Sequence, residues 1–580
     1  MKHKKITVIA VTVMIAIILI FFCVNYGLDA YVQQQRASQS GNQAAAGQQP
    51  VSPAQSLILV TMESPEESGV CGEHLEWYYK DEILVITGMG KMDEYIYSAG
   101  SAPWYDSLQD QIGCVILDEG VTSIGAAAFK DCRNMTEIVL PSSLTNIEES
   151  AFFGCSSLQQ IELPDNVISI GKNAFNVCSG LREIILPDGV TSIGEGAFAG
   201  CSDLREIMLP DSVTRIDEGA FADCSSLTQI ELPDGVTSIG KGAFTGCSGL
   251  IQIELPDSVT KIGEGAFYGC SSLRDIAIPN SITSIEESTF LGCIGLTEIT
   301  LPDSLIDIGN KAFRNCRGLT EIMIPDSVTR IGDFAFHGCC GLSEIKIPDS
   351  VTSIGVSAFG ECSGLSEITL PDSVIRIEES TFSGCCSLTK IEIPDSVTSI
   401  GGSAFWRCSS LTEITLPESV TNIGIGAFVE CDGLTEIVIP DNAIASIGNG
   451  ALAGSEWLTE ITIPDGITRI ADGAFENCTQ LAEVILPDSV ISIGECAFAH
   501  CHSLTEIRMP DSVTSINDGA FAMCYTLSEI YIPDSITYIG ENVFSGCSDM
   551  TIFYSGNTID DYINSHSSDW SAQNIVWVRQ

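Results

Sequence analysis

The densest run of chemically capable side chains is Glu495-Cys496-Ala497-Phe498-Ala499-His500-Cys501-His502. Cysteine and histidine packed this closely invite a zinc reading. Zinc sites in small domains usually show paired ligand spacings, which this run lacks. Cys501 moreover belongs to a column of cysteines that recurs along the chain, so it is expected to point inward while His500 and His502 flank it. A structural role is the better expectation, and no metal is assigned. A second candidate chemistry is thiol chemistry, since the chain holds 24 cysteines. From Cys132 to Cys547, most of them stand three residues after a phenylalanine. Stacked one strand spacing apart they would project in parallel, with Cβ atoms near ~4.8 Å, longer than a disulfide prefers. They read as a buried small-residue column. Cys23, Cys71, Cys114, Cys340, Cys386 and Cys496 fall outside it. Cys71 and Cys114 could form a bridge, whereas Cys340 and Cys386 lie two repeats apart, about 10 Å at strand spacing, and should not pair with each other.

The third candidate is a set of carboxylates. The residue before the isoleucine of each short strand is acidic in most repeats, including Glu137, Glu183, Glu206, Asp275, Glu298 and Glu529. At about 4.8 Å spacing such charges lie within the ~8 Å Debye length and repel. They read as solubilising and edge-protecting charges, or as a strip that draws a basic partner or divalent cations. No calcium loop accompanies them. The chain also carries no P-loop, no HExxH and no GxSxG, and the TGMGKM stretch at Thr87 is too short to cradle a nucleotide.

What must position all these columns is a repeat. Prolines recur every 23 residues from Pro141 to Pro440; one step of 24 reaches Pro464, and the period of 23 then returns to Pro533. An earlier unit begins at Asp118. Fixed periods of this size mean a solenoid. In the unit LREIILPDGVTSIGEGAFAGCSD the recurring apolar positions are Leu181, Ile184, Leu186, Val190, Ile193, Ala197, Phe198 and Cys201. Leu-x-x-Ile-x-Leu reads as a short strand that proline ends. Asp after Pro suits a turn. Val-x-x-Ile-Gly reads as a second extended edge whose glycine permits a bend, and Ala-Phe opens a tight last turn. One such unit cannot bury its own apolar face, but stacked units can.

The motif Leu-x-x-Ile-x-Leu-Pro-Asp-x-Val-x-x-Ile-Gly-x-x-Ala-Phe-x-x-Cys resembles the BspA-like leucine-rich repeat family over roughly residues 115–550. The resemblance implies a right-handed leucine-rich-repeat solenoid of about nineteen repeats. It implies a parallel β-sheet on the concave face and short extended and turn segments on the convex side. It also implies a surface or secreted protein, often linked to adhesion. Residues 57–114 read as a small β-rich N-terminal cap, and residues 551–580 as a C-terminal cap after the period is lost.

Composition narrows the function. The formal net charge is −50, with 76 acidic against 26 basic residues. Phosphate binding needs a Lys/Arg footprint, so nucleic acid is excluded, as is an anionic membrane surface. At the N-terminus, Lys2, Lys4 and Lys5 precede an apolar run from Ile6 to Val24. Residues 1–32 read as an uncleaved membrane anchor, with a cleaved signal peptide or lipidation at Cys23 as alternatives. All three place the remainder outside the cytoplasm. Residues 33–56 read as a flexible linker.

The expected function is therefore an extracellular, adhesin-like binding protein. Its partner would be a protein or cell-surface ligand such as matrix protein, mucin or another cell. Membrane contact would be confined to the N-terminal segment, with no cofactor and no catalysis. The alternatives are a structural spacer of the cell envelope, or an enzyme with its site in residues 57–114. The variable column after the strand isoleucine should face the concave surface, and it nominates Ile185, Met208, Met323, Lys346, Arg508 and Tyr531 for ligand contact. Tyr268 and Trp406, in the position after the phenylalanine, are nominated on a rim or turn. Between Pro440 and Pro464 an extra residue enters, Leu452 replaces phenylalanine, Ser455 replaces cysteine and Trp457 appears. This reads as a tolerated bulge, or else as a kink or partner site.

Overall fold

The computed structural model describes residues 58, 61–95, 101–434, 436–439, 448–456, 458–554 and 575–579. The apolar run at 6–24, the linker, the extra residue near Pro440 and Trp457 lie outside the described residues. The described chain is a parallel β-solenoid of about 19 turns. Each turn uses the same three sides. A three-residue strand such as Glu183–Ile185 forms one side. A two-residue strand such as Ser192–Ile193 forms the second. A run of tight turns around Ala197-Phe198 forms the third.

The reason lies in backbone hydrogen bonding, because every buried N–H and C=O needs a partner. On the first side, strands of successive turns pair in parallel with a one-repeat register: Glu183 opposite Glu206, Ile184 opposite Ile207, Ile185 opposite Met208. On the second side Ile193 pairs with Ile216. On the third side, N–H groups donate to the carbonyls of the next turn, Phe198 to Ala220 at 2.8 Å and Gly200 to Ala222 at 2.7 Å. Between these sides the chain turns sharply. Val190 N–H closes a turn on the Pro187 carbonyl at 3.1 Å, as the Pro-Asp pair suggests. Two left-handed residues bracket the Ala-Phe pair, Gly196 at φ 58° and Gly200 at φ 71°. The glycine after the second strand is needed for another reason than the expected bend. Gly194 does not have positive φ; a Cβ there would stand 2.9 Å from the Ile170 carbonyl oxygen and 3.2 Å from the Gly171 carbonyl carbon. Its column is a place of close backbone approach.

The expected apolar columns form one core along the solenoid: Leu181, Ile184, Leu186, Val190, Ile193, Ala197, Phe198 and Cys201 are all buried. The phenylalanines stack ring on ring, with Phe244, Phe267 and Phe290 spaced at 5.5 Å and tilted by only 3°. The cysteine column is buried and unbridged, with a feature the sequence did not suggest. From Cys155 onward the thiols donate to the carbonyl at the phenylalanine position one turn back, Cys155 to Phe129 at 3.1 Å and Cys247 to Phe221 at 3.1 Å. In the atypical turn, Leu452 and Ser455 take the phenylalanine and cysteine places. Both are buried, Ser455 Oγ lies 3.5 Å from the Phe428 carbonyl, and Cys478 donates to Leu452. The core therefore runs through that turn.

At the N-terminal end, β1 (Glu67–Gly72), β2 (Leu75–Lys80) and β3 (Ile83–Gly88) pair antiparallel. β3 then pairs parallel with β4 (Cys114–Leu117), the first strand of the ladder. Trp104 is fully buried, stacks on Phe129 at 5.7 Å and donates Nε1–H to the Ala128 carbonyl at 2.8 Å. It is the ring that closes the phenylalanine stack. Cys71 on β1 and Cys114 on β4 are both free thiols, with β2 and β3 between them. At the other end the tail resumes the ladder: Thr551–Tyr554 pairs parallel with Glu529–Ile532, and Val576–Arg579 with Thr551–Tyr554.

Candidate functional site

The three-residue strands turn their central residue, nearly always isoleucine, inward and both neighbours outward, because side chains alternate along a strand. Ile184 is buried while Glu183 and Ile185 are exposed. The acidic column and the variable column therefore share one exposed face, on either side of the buried isoleucines. Their register is rigid, since a slip of one residue would expose the isoleucines.

On this face Ile185, 48% exposed, lies directly beside Met208, 57% exposed. Glu162 and Glu231 border the pair on either side. The carboxylates Glu183 and Glu206 neighbour each other in the same register, and Gln229 follows, donating Nε2–H to Glu206 Oε1 at 3.3 Å. Toward the C-terminal end Arg508 lies beside Tyr531. Tyr531 stacks on Phe553 at 4.7 Å and 12°, and Val578 continues the line. Lys346 sits between turns whose strand pairing resumes at Glu344–Lys346, next to Thr369. Met323, 84% exposed, falls in the turn just before, where the strand pairing is interrupted. The variable column of this face thus holds two apolar stretches, Ile185–Met208 and Tyr531–Phe553–Val578, with Met323 and Ile485 as further exposed apolar positions.

Tyr268 and Trp406 are not brought to this face. They sit on the turn side, 138 residues apart, and do not meet each other. Tyr268 is 44% exposed. Trp406 is half-buried under the Arg407 guanidinium at 4.3 Å, and Arg407 is itself held by Glu430 at 2.6 Å. Phe553 and Val578 went unrecognised in the sequence because the step from Tyr531 to Phe553 is 22 residues rather than 23. The signal was the Thr-Ile-Phe triplet, which repeats the x-Ile-x strand pattern.

His500 and His502 flank the buried Cys501, their rings 5.9 Å apart, and His502 stacks on Tyr525 at 4.8 Å. Among the described residues no group of three His, Cys, Asp or Glu side chains is placed to hold a metal ion. Burial pushes the ladder thiols up, Cys247 and Cys293 to about 12, so at neutral pH they are protonated and unreactive. His337 is shifted down by burial and by Arg314.

A leucine-rich ladder with phenylalanine, cysteine and isoleucine columns defines the class, and sequence comparison gives the family. The model of the BspA type leucine rich repeat region matches residues 109–228, 214–343, 329–457 and 445–570. The chain belongs to the BspA-type leucine-rich repeat family. A leucine-rich repeat protein from Bacteroides ovatus is 33% identical, over 61% of this chain and 92% of its own, with a TM-score of 0.56. A leucine rich cell surface protein from Faecalibacterium prausnitzii is 22% identical, over 88% of this chain and 98% of its own, with a TM-score of 0.26. No curated protein matches. Among the described residues no helix is long and apolar enough to cross a membrane.

Proposed function

We propose that this chain is a non-catalytic cell-surface binding protein that takes a protein or cell-surface ligand on the exposed face of its three-residue strands. The observation that carries the reading is Ile185 beside Met208, two large apolar side chains held about half exposed on a rigid ladder. Stability does not require them to be apolar, because Glu162 and Glu231 occupy the same column in the bordering turns. Exposed apolar residues set side by side favour a contact surface. The surrounding carboxylates supply steering toward cationic partners. The run from Ile6 to Val24 supports export and anchoring, with the remainder outside the cytoplasm.

The test is capture of matrix proteins, mucin and whole cells by the full chain at low and high salt, beside an Ile185→Asp/Met208→Asp variant. Capture is expected for the native chain and lost in the variant. Capture that survives the variant and fades with salt moves recognition to the carboxylate column. No capture at any salt favours an envelope spacer.

A further inference from the structure

The carboxylates of the strand face obey a rule. From Glu137 to Tyr531, the two outward residues of each turn's x-Ile-x or x-Val-x triplet include one carboxylate and never two. In most turns it comes first, as in Glu183-Ile184-Ile185. At Glu162, Glu231, Glu254 and Glu392 it crosses to the third place, and Gln160, Gln229, Gln252 and Lys390 stand first. Lys390 neutralises its own Glu392 at 3.5 Å. The other three crossed carboxylates have only glutamine in that place. The ion pairs of the neighbouring turns go elsewhere, Lys172 to Glu195, Arg182 to Asp203 and Lys241 to Glu264.

Two of these crossings border the apolar pair. Along the variable column the register runs Glu162, Ile185, Met208, Glu231, Glu254, and all five are exposed. Glu183 and Glu206 stand two residues before Ile185 and Met208 on the same face. Arg182 and Arg205, also exposed, come one residue earlier still. Along each strand the carboxylate therefore stands between the arginine and the apolar residue. Carboxylates thus flank the apolar pair on three sides. Glu162 and Glu231 lie three turns apart, about 14 Å at one strand spacing per turn, with the pair at the midpoint.

An extended polypeptide laid along the column matches that spacing. Its side chains alternate, so residues i, i+2 and i+4 project to one side, and i to i+4 spans about 14 Å. A cationic side chain at i and at i+4 then meets Glu162 and Glu231, while an apolar side chain at i+2 covers Ile185 and Met208. A single small cation cannot reach both carboxylates. Resting on the reading of Ile185–Met208 as a contact surface, we propose that this patch binds an extended polypeptide segment of the pattern basic-x-apolar-x-basic. Glu162 and Glu231 set the specificity. They attract the two cations and reject a segment with carboxylates in the same places. Burying the apolar residue between them excludes water and strengthens both ion pairs.

The experiment selects phage-displayed random heptapeptides on the full chain and sequences the enriched pool, with circular dichroism as the folding control for each variant. The native chain is expected to enrich the basic-x-apolar-x-basic pattern at least tenfold over the starting library. Glu162→Gln/Glu231→Gln is expected to lose that enrichment, and Glu162→Lys/Glu231→Lys to replace the two basic positions by acidic ones. Ile185→Asp/Met208→Asp is expected to lose the apolar position. The proposal is overturned if the native chain enriches no pattern, enriches acidic peptides through Arg182 and Arg205, or keeps its preference after the charge reversal. Capture of matrix proteins, mucin or cells separates this result from the broader reading. Capture lost in Ile185→Asp/Met208→Asp but unchanged in Glu162→Lys/Glu231→Lys keeps the contact surface and overturns the peptide pattern. Capture unchanged in both variants overturns both.

Discussion

Ile184 and Ile185 are the same residue, side by side, yet one is 2% exposed and the other 48%. Cys339 and Cys340 repeat the contrast on the turn side, buried against exposed. In each pair the inner member belongs to a column that scarcely varies along the solenoid. The outer member belongs to a column that varies: Glu, Met, Thr, Lys and Tyr share the column of Ile185, and Ser, Ile, Arg and Asp that of Cys340. The inner columns carry the fold because every turn is the only cover of the next. The outer columns have no such duty, so what stands there is free to serve recognition. The family is legible in the first set and individuality in the second.

That division can be broken most forcefully through the inner thiols. Burial holds Cys247, Cys293 and Cys431 protonated up to about 12, whereas an unfolded thiol ionises near its ordinary value of 9.0. Because the folded value is raised, the stability from these groups is complete below pH 9 and lost as pH rises toward 12. Each such thiol lowers stability by about 1.4 kcal/mol per pH unit inside that window. Denaturant melts at stepped pH should show a steep alkaline fall, and a flat profile would refute buried, protonated ladder thiols.

Next in size is Phe267→Ala, which opens a gap between rings 5.5 Å away on both sides. A loss of about 3–5 kcal/mol is expected. Each turn contacts only its neighbours, so exchange protection should fall in the adjoining turns and persist far from them. Uniform loss along the chain would contradict a one-dimensional architecture.

Smaller is Tyr531→Ala, which removes one stacked ring from Phe553. About 0.5–1.5 kcal/mol is expected, read as local loosening of residues 551–554 by hydrogen exchange. Smallest in stability is Ile185→Asp/Met208→Asp, expected within about 0.5 kcal/mol of the native chain while abolishing capture. A large destabilisation there would mean the outer column is structural after all.

Much of the fold was readable because the chain serves as its own alignment. A position that holds isoleucine or phenylalanine in turn after turn is a core position, and the structure buries it. The site was only half readable. The sequence named Ile185, Met208 and Tyr531, but the tail's missing residue hid Phe553, and nothing in the spacing showed that Trp406 lies half-buried beneath Arg407.

The sequence by itself determined the 23-residue period, the buried columns and the alternation that turns Ile185 outward. These follow from local chemistry: proline lacks an N–H to donate, strands alternate sides, and apolar side chains leave water. Only the tertiary structure decided which outward residues become neighbours. It set Met208 beside Ile185 and stacked Phe553 on Tyr531, and it aligned the Cys155 thiol with the Phe129 carbonyl. It also revealed that Gly194 serves close backbone approach. Those outcomes depend on how one turn lies against the next, a register fixed by hydrogen bonds between residues far apart in the chain.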